Sequence, residues 1–112
     1  MRPEQLRHLL RIEKPVPGND LDGVPEDAWK LVAEVWGKIR PLRGNEYEQS
    51  QQMQSSVTHM ITTWYRLGAD NTMRLVHGKR IFNVESVINV DERNFWLEWR
   101  CAEEESYGYS RG

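Results

Sequence analysis

The chain has 112 residues, enough for one domain with one modest core, and its charged residues (29%) stand against a hydrophobic set of 38%, a balance too apolar for a disordered chain. A formal net charge of −2 with no basic half argues against a protein that wraps nucleic acid by displacing counterions. The single cysteine, Cys101, excludes an intramolecular disulfide and reads as a small core residue.

The N-terminus, "MRPEQLRHLLRIEKP", is too charged for a signal peptide, and no run reaches membrane-spanning length. A cytoplasmic place of synthesis and assembly is the expectation. Residues 6–15 mix a helical turn with an extended run that ends at Pro15. Residues 15–27, "PVPGNDLDGVPED", form a loop dense in Pro, Gly, Asn and Asp, of a length expected of functional or mobile loops.

Residues 28–42 read as a second strand. Leu31, Ala33, Val35, Gly37 and Ile39 share one face. Lys30, Val32, Glu34, Trp36, Lys38 and Arg40 share the other. Gly37 inside the run signals a bulge or a close backbone approach. "GNEYEQSQQMQSS" (44–56) is the one helix candidate, with Asn45 as cap and Glu48 closing a capping box. Its apolar stripe is nearly empty, so its own core has little to hold it with.

Residues 57–66 alternate as a third strand. Val57, His59, Ile61, Thr63 and Tyr65 face inward, and Thr58, Met60, Thr62, Trp64 and Arg66 face outward. A short strand over 72–77 and a tight turn at Gly78 follow. A strand over 80–90 turns Phe82, Val84, Ser86, Ile88 and Val90 to one side. A polar turn at 91–94 leads to a strand over 95–104, with Phe95, Leu97, Trp99 and Cys101 inward and Trp96 outward. About six strands with one helix between the second and third make a mainly β chain, a small barrel or sandwich. Residues 1–104 are taken as one domain and 105–112 as a fraying tail.

No catalytic pattern emerges. His8, His59 and His77 are scattered, whereas zinc needs about four converging ligands. No phosphate loop and no nucleophile elbow occurs. No cofactor, metal or catalytic residue is expected. What stands out is aromatic: Trp36, Met60, Trp64 and Trp96 fall on outward faces of three strands. Tryptophan and methionine are enriched at interface centres, and lean cores are often completed by oligomerisation.

The runs "VWGKIRPLRGNEYEQSQQMQSSVTHMITTWYR" and "MRLVHGKRIFNVESVINVDERNFWLEWRCAEE", with "LRHLLRIEKPV" and "DGVPEDAW" before them, resemble the phage head-tail joining family, also called head-closure or stopper proteins. The resemblance covers about residues 4–104. It implies a small antiparallel β-barrel with a helix inserted between strands two and three. It implies a ring, commonly a dodecamer, stacked beneath the portal or an adaptor. That ring closes the DNA-filled head and receives the tail, in a virion assembled in a bacterial cytoplasm from phage or prophage genes. It implies no catalysis. In the family the outer side of the third strand is expected to be charged where Met60 and Trp64 stand here, a departure that implies either a more apolar subunit contact or a modified tail-side surface.

Joined to that resemblance, Trp36, Met60, Trp64 and Trp96 become candidates for the subunit or partner interface. Gln51, Gln52 and Gln54 become candidates to face the channel, where neutral side chains touch double-stranded DNA without gripping it. Two other readings are a tail-completion or tail-tube ring protein, and a monomeric barrel that stacks nucleic-acid bases on exposed aromatics.

Overall fold

The computed structural model describes residues 5–16, 28–52 and 56–104, with the backbone alone at 50–52. The predicted loop is thus described only at Pro15 and Val16, and the predicted tail lies outside the described residues. Six strands form the fold: β1 (His8–Pro15), β2 (Trp29–Pro41), β3 (His59–Trp64), β4 (Arg74–His77), β5 (Arg80–Asn89) and β6 (Trp96–Glu103). A helix, α1 (Gly44–Gln52), joins β2 to β3. All neighbours pair antiparallel in the order β1-β2-β3-β6-β5-β4, and β4 closes back on β1. The expected mainly-β barrel with one inserted helix is the observed fold.

Alternation explains most of the core. Leu10, Ile12, Ile61, Leu75, Phe82, Val84, Leu97, Trp99 and Cys101 fill the interior. Trp99 sits at its centre, fully buried, and donates its indole N–H to Thr63 Oγ1 at 2.9 Å. Thr63 in turn donates to the Trp64 carbonyl at 2.9 Å, so this buried hydroxyl is satisfied on both sides.

Two bulges overturn part of the predicted facing. On β2, Ile12 pairs with Ala33 and Glu13 with Leu31, which leaves Val32 as the extra residue. The phase flips there: Val32 packs on the core and Leu31 is 51% exposed, the reverse of the strict alternation. On β5, Val84 pairs with Cys101 and Ser86 with Arg100, which makes Glu85 the extra residue. Beyond it Val87 turns to the core and Ile88 outward. Phe95 precedes β6 and is exposed, also contrary to expectation.

Gly37 is no bulge. It pairs regularly with His8 on one side and Thr63 on the other. The side chain of Leu10 fills the space that a Cβ would take: such an atom would lie 2.6 Å from Leu10 Cδ1 and 3.1 Å from the Thr62 carbonyl. Gly37→Ala is therefore expected to lower the unfolding free energy by about 1–2 kcal/mol, because overpacking outweighs the entropy gained. A urea titration reads this directly; an unchanged or raised midpoint would contradict the close approach.

The helix also starts differently from its predicted box. Glu46, three residues after Arg43, accepts from the Arg43 backbone N–H at 3.3 Å and from Arg40 Nη1 at 2.9 Å. Arg40, hydrogen-bonded to the Glu46 side chain, holds that carboxyl below its usual range. Every helix residue over 44–49 is exposed. This polar helix is tethered at its first turn rather than packed on the barrel.

Candidate assembly interface

The outward faces of four adjacent strands carry one apolar row. Leu9 on β1 pairs with Trp36 on β2. Gly37 pairs with Thr63, and one step further along that register Trp36 falls beside Trp64 on β3. Trp64 pairs with Trp96 on β6, and their rings stack at 4.1 Å with planes 16° apart. Four residues on four strands span about 14 Å at the usual strand spacing. Trp36 is 53% and Trp64 47% exposed, Leu9 is exposed, and Trp96 is half-buried beneath its stacking partner. Indole rings left in water on a barrel with a full interior are the mark of a surface built to be covered.

Below the row the chemistry turns polar. Met60 is half-buried, paired to Arg40 on one side and Arg100 on the other. Lys38, Thr62, Glu98 and Ile88 form the row between. Above it, the Tyr65 N–H donates to the Phe95 carbonyl at 2.8 Å, which holds two turns together beneath exposed Leu67 and Phe95. The turn before Phe95 places Asp91, Glu92 and Asn94 at positive φ. It is braced by Asn89, whose amide donates to Asn94 Oδ1 at 2.7 Å and whose carbonyl oxygen accepts the Asn94 N–H at 3.0 Å.

Of the sequence candidates, the structure brings Trp36, Trp64 and Trp96 into one row and sets Met60 further along β3 on the same face, four residues before Trp64. Gln54 lies outside the described residues, as do the side chains of Gln51 and Gln52. Sequence reading missed Leu9, Leu31 and Ile88 as surface residues. Bulges hide the last two, and Leu9 lies in a segment whose mixed helical and extended pattern fixes no strand phase.

The three histidines meet a second environment, at strand ends near the α1 side. His8 and His77 lie edge to face, 4.8 Å between centroids, and each keeps a buried Nδ1 without a hydrogen-bond partner among the described residues. His77 pairs with Arg80. Arg80 grips Glu103 with Nε at 2.9 Å and Nη2 at 3.0 Å, and Glu103 Oε1 stands 3.8 Å from His59 Nε2. Burial pushes both His59 and His77 below the ordinary imidazole value, with Arg80 adding to the effect. Burial likewise pushes the Cys101 thiol far up, which makes it inert. Among the described residues no three His, Cys, Asp or Glu side chains gather as metal ligands.

The depressed imidazoles set a pH dependence. In the unfolded chain they take a proton near 6.5, whereas in the barrel they take it only at lower pH. The unfolded state therefore binds more protons in that window, and stability falls as pH drops from about 7 through 6.5. The loss comes before that of the Arg80-paired Glu103, whose lowered carboxyl value places its own loss at pH below 4.5. The denaturant midpoint is expected to be lower at pH 5.5 than at 7.5, and His77→Gln is expected to narrow the gap. Equal midpoints at the two pH values would contradict the burial assigned to these rings.

Comparison with known proteins agrees with this architecture. Residues 1–105 match the family described as phage head completion protein. No curated protein matches the chain. A solved chain from the virion of a native gene transfer agent (GTA) particle is similar at 25% identity, with a TM-score of 0.61 over 94% of this chain and 98% of that one. Among the described residues no helix is long and apolar enough to cross a membrane. The barrel with its inserted helix and the match over nearly the whole length lead to one conclusion: this chain belongs to the phage head completion protein family.

Proposed function

We propose that the protein forms a ring at the head-tail connector, closes the DNA-filled head and presents the surface to which the tail attaches. The observation behind this reading is the solvent-facing row Leu9–Trp36–Trp64–Trp96 on a barrel whose interior is already full. Copies of the chain cover that row laterally, with Met60 at its lower margin. The portal or an adaptor lies on one side of the ring and a tail protein on the other. A ring of this kind repeats one head-to-tail contact between two different parts of each chain's surface, so every copy buries its apolar residues in the same way.

The helix fits the channel side of this arrangement. It is polar, tethered by Glu46 and unpacked on its own barrel, so neighbours or the lumen give it its surroundings. Gln51, Gln52 and Gln54 would present neutral amides to passing double-stranded DNA. Arginine at all three is expected to slow DNA ejection, because clustered cations bind phosphate; ejection at the normal rate would count against a lumenal helix. The role itself is tested by particles made without this protein. Heads that package DNA but leak it and carry no tails are the expected product. Fully tailed, stable particles would overturn the proposal.

A further inference from the structure

We propose that the barrel carries two mating patches: Leu9 and Trp36 on the β1–β2 flank of one copy seat against Trp96 and Ile88 on the β6–β5 flank of the next, with Trp64 on β3 at the margin that both contacts share. This rests on the ring reading above and names its contact. In the closed order β1-β2-β3-β6-β5-β4, the β1–β2 flank and the β6–β5 flank are three strands apart in either direction. They lie on different sides of the barrel, which lets one chain meet two neighbours by a head-to-tail contact that closes on itself. Both flanks carry outward apolar side chains, whereas β4 has no exposed large hydrophobic residue. A chain with apolar surface on two sides and none on β4 is suited to two neighbours.

Charge supports a second copy as the occupant. Descending β2 on the outer face, Trp36 is followed by Lys38; descending β6, Trp96 is followed by Glu98. Both strands run antiparallel to β3 and thus in the same direction. When Trp36 of one copy meets Trp96 of the next in the same up-down sense, Lys38 comes to Glu98 of that neighbour. Within one chain the two cannot meet, because Thr62 on β3 stands between them as the register partner of both. Neither has an ion-pair partner among the described residues. An isologous contact centred on β3 would make the same pair twice within a closed dimer, and only covalent species beyond the dimer mark the head-to-tail arrangement.

Cysteine trapping tests the pairing. Positions 38 and 98 lie two strands apart, about 10 Å, too far for an intramolecular disulfide. The native Cys101 is buried and stays out of the reaction. Under mild oxidation of concentrated protein, the variant carrying Lys38→Cys and Glu98→Cys is expected to give a ladder of covalent trimers and larger species. Each single variant is expected to stay monomeric, and a mixture of the two singles to give dimers only. A dimer from either single variant, or no ladder from the double, overturns the pairing.

Charge reversal gives a second readout. Lys38→Glu or Glu98→Lys should weaken self-association about tenfold, and the two together should restore most of it. Ring formation by the unaltered chain is read separately, by native mass spectrometry with and without portal rings. Rings without a ladder sink the flank pairing alone, and the absence of rings sinks the reading beneath it.

Discussion

Replacing Trp99 by alanine is expected to lower the unfolding free energy by roughly 4 kcal/mol, enough to leave much of the chain unfolded near physiological temperature. The indole is fully buried among Ile61, Val87, Leu97 and Cys101, and its N–H is held by Thr63. Removal opens a cavity where β3, β5 and β6 meet and leaves Thr63 Oγ1 without its donor. Trp99→Phe separates the two parts: it keeps most of the volume and is expected to cost about 1–2 kcal/mol, the hydrogen bond and a smaller void. Denaturant unfolding followed by circular dichroism measures both. A loss below about 1 kcal/mol for the alanine variant would mean that the core is centred elsewhere.

The second large effect is on assembly. Trp36→Glu is expected to leave the isolated barrel within about 0.5 kcal/mol of its original stability, because the ring is half in water already. The same change is expected to weaken subunit association about 30-fold or more, as loss of a central aromatic anchor does. The contrast between the two readouts matters more than either alone. Trp64→Ala is a less clean probe, since it also removes the stack on Trp96, worth about 1 kcal/mol to the β3–β6 pair. Sedimentation velocity over a concentration series, paired with unfolding curves, distinguishes a lost interface from a damaged fold. A Trp36 variant that unfolds readily yet assembles normally would reverse the assignment.

The strands themselves were legible in the sequence because alternation is a local signal. Leu97, Trp99 and Cys101 on β6, and Ile61 and Thr63 on β3, are inward as their spacing demands. The outward positions of Trp36 and Trp64 follow by the same rule. Leu31, Val32, Val87 and Ile88 were not legible, because a bulge is decided by the partner strand's register, which no single strand records. The start of the helix was misjudged for a different reason: Asn45 is a good capping type, yet Arg40 at the end of β2 recruits Glu46 and fixes the turn from outside the helix. The meeting of His8 and His77 near one rim was equally hidden, since residues about 70 positions apart are joined there only by closure of β4 on β1.

Whether the outer tryptophans are covered in the particle decides between an assembling barrel and a self-sufficient one. An electron cryo-microscopy reconstruction of the assembled connector reads this residue by residue. Trp36, Trp64 and Trp96 are expected at the boundaries between neighbouring copies, shielded from solvent there. A connector in which these three rings still face open water, with subunits joined through β4 instead, would refute the assembly role given to them.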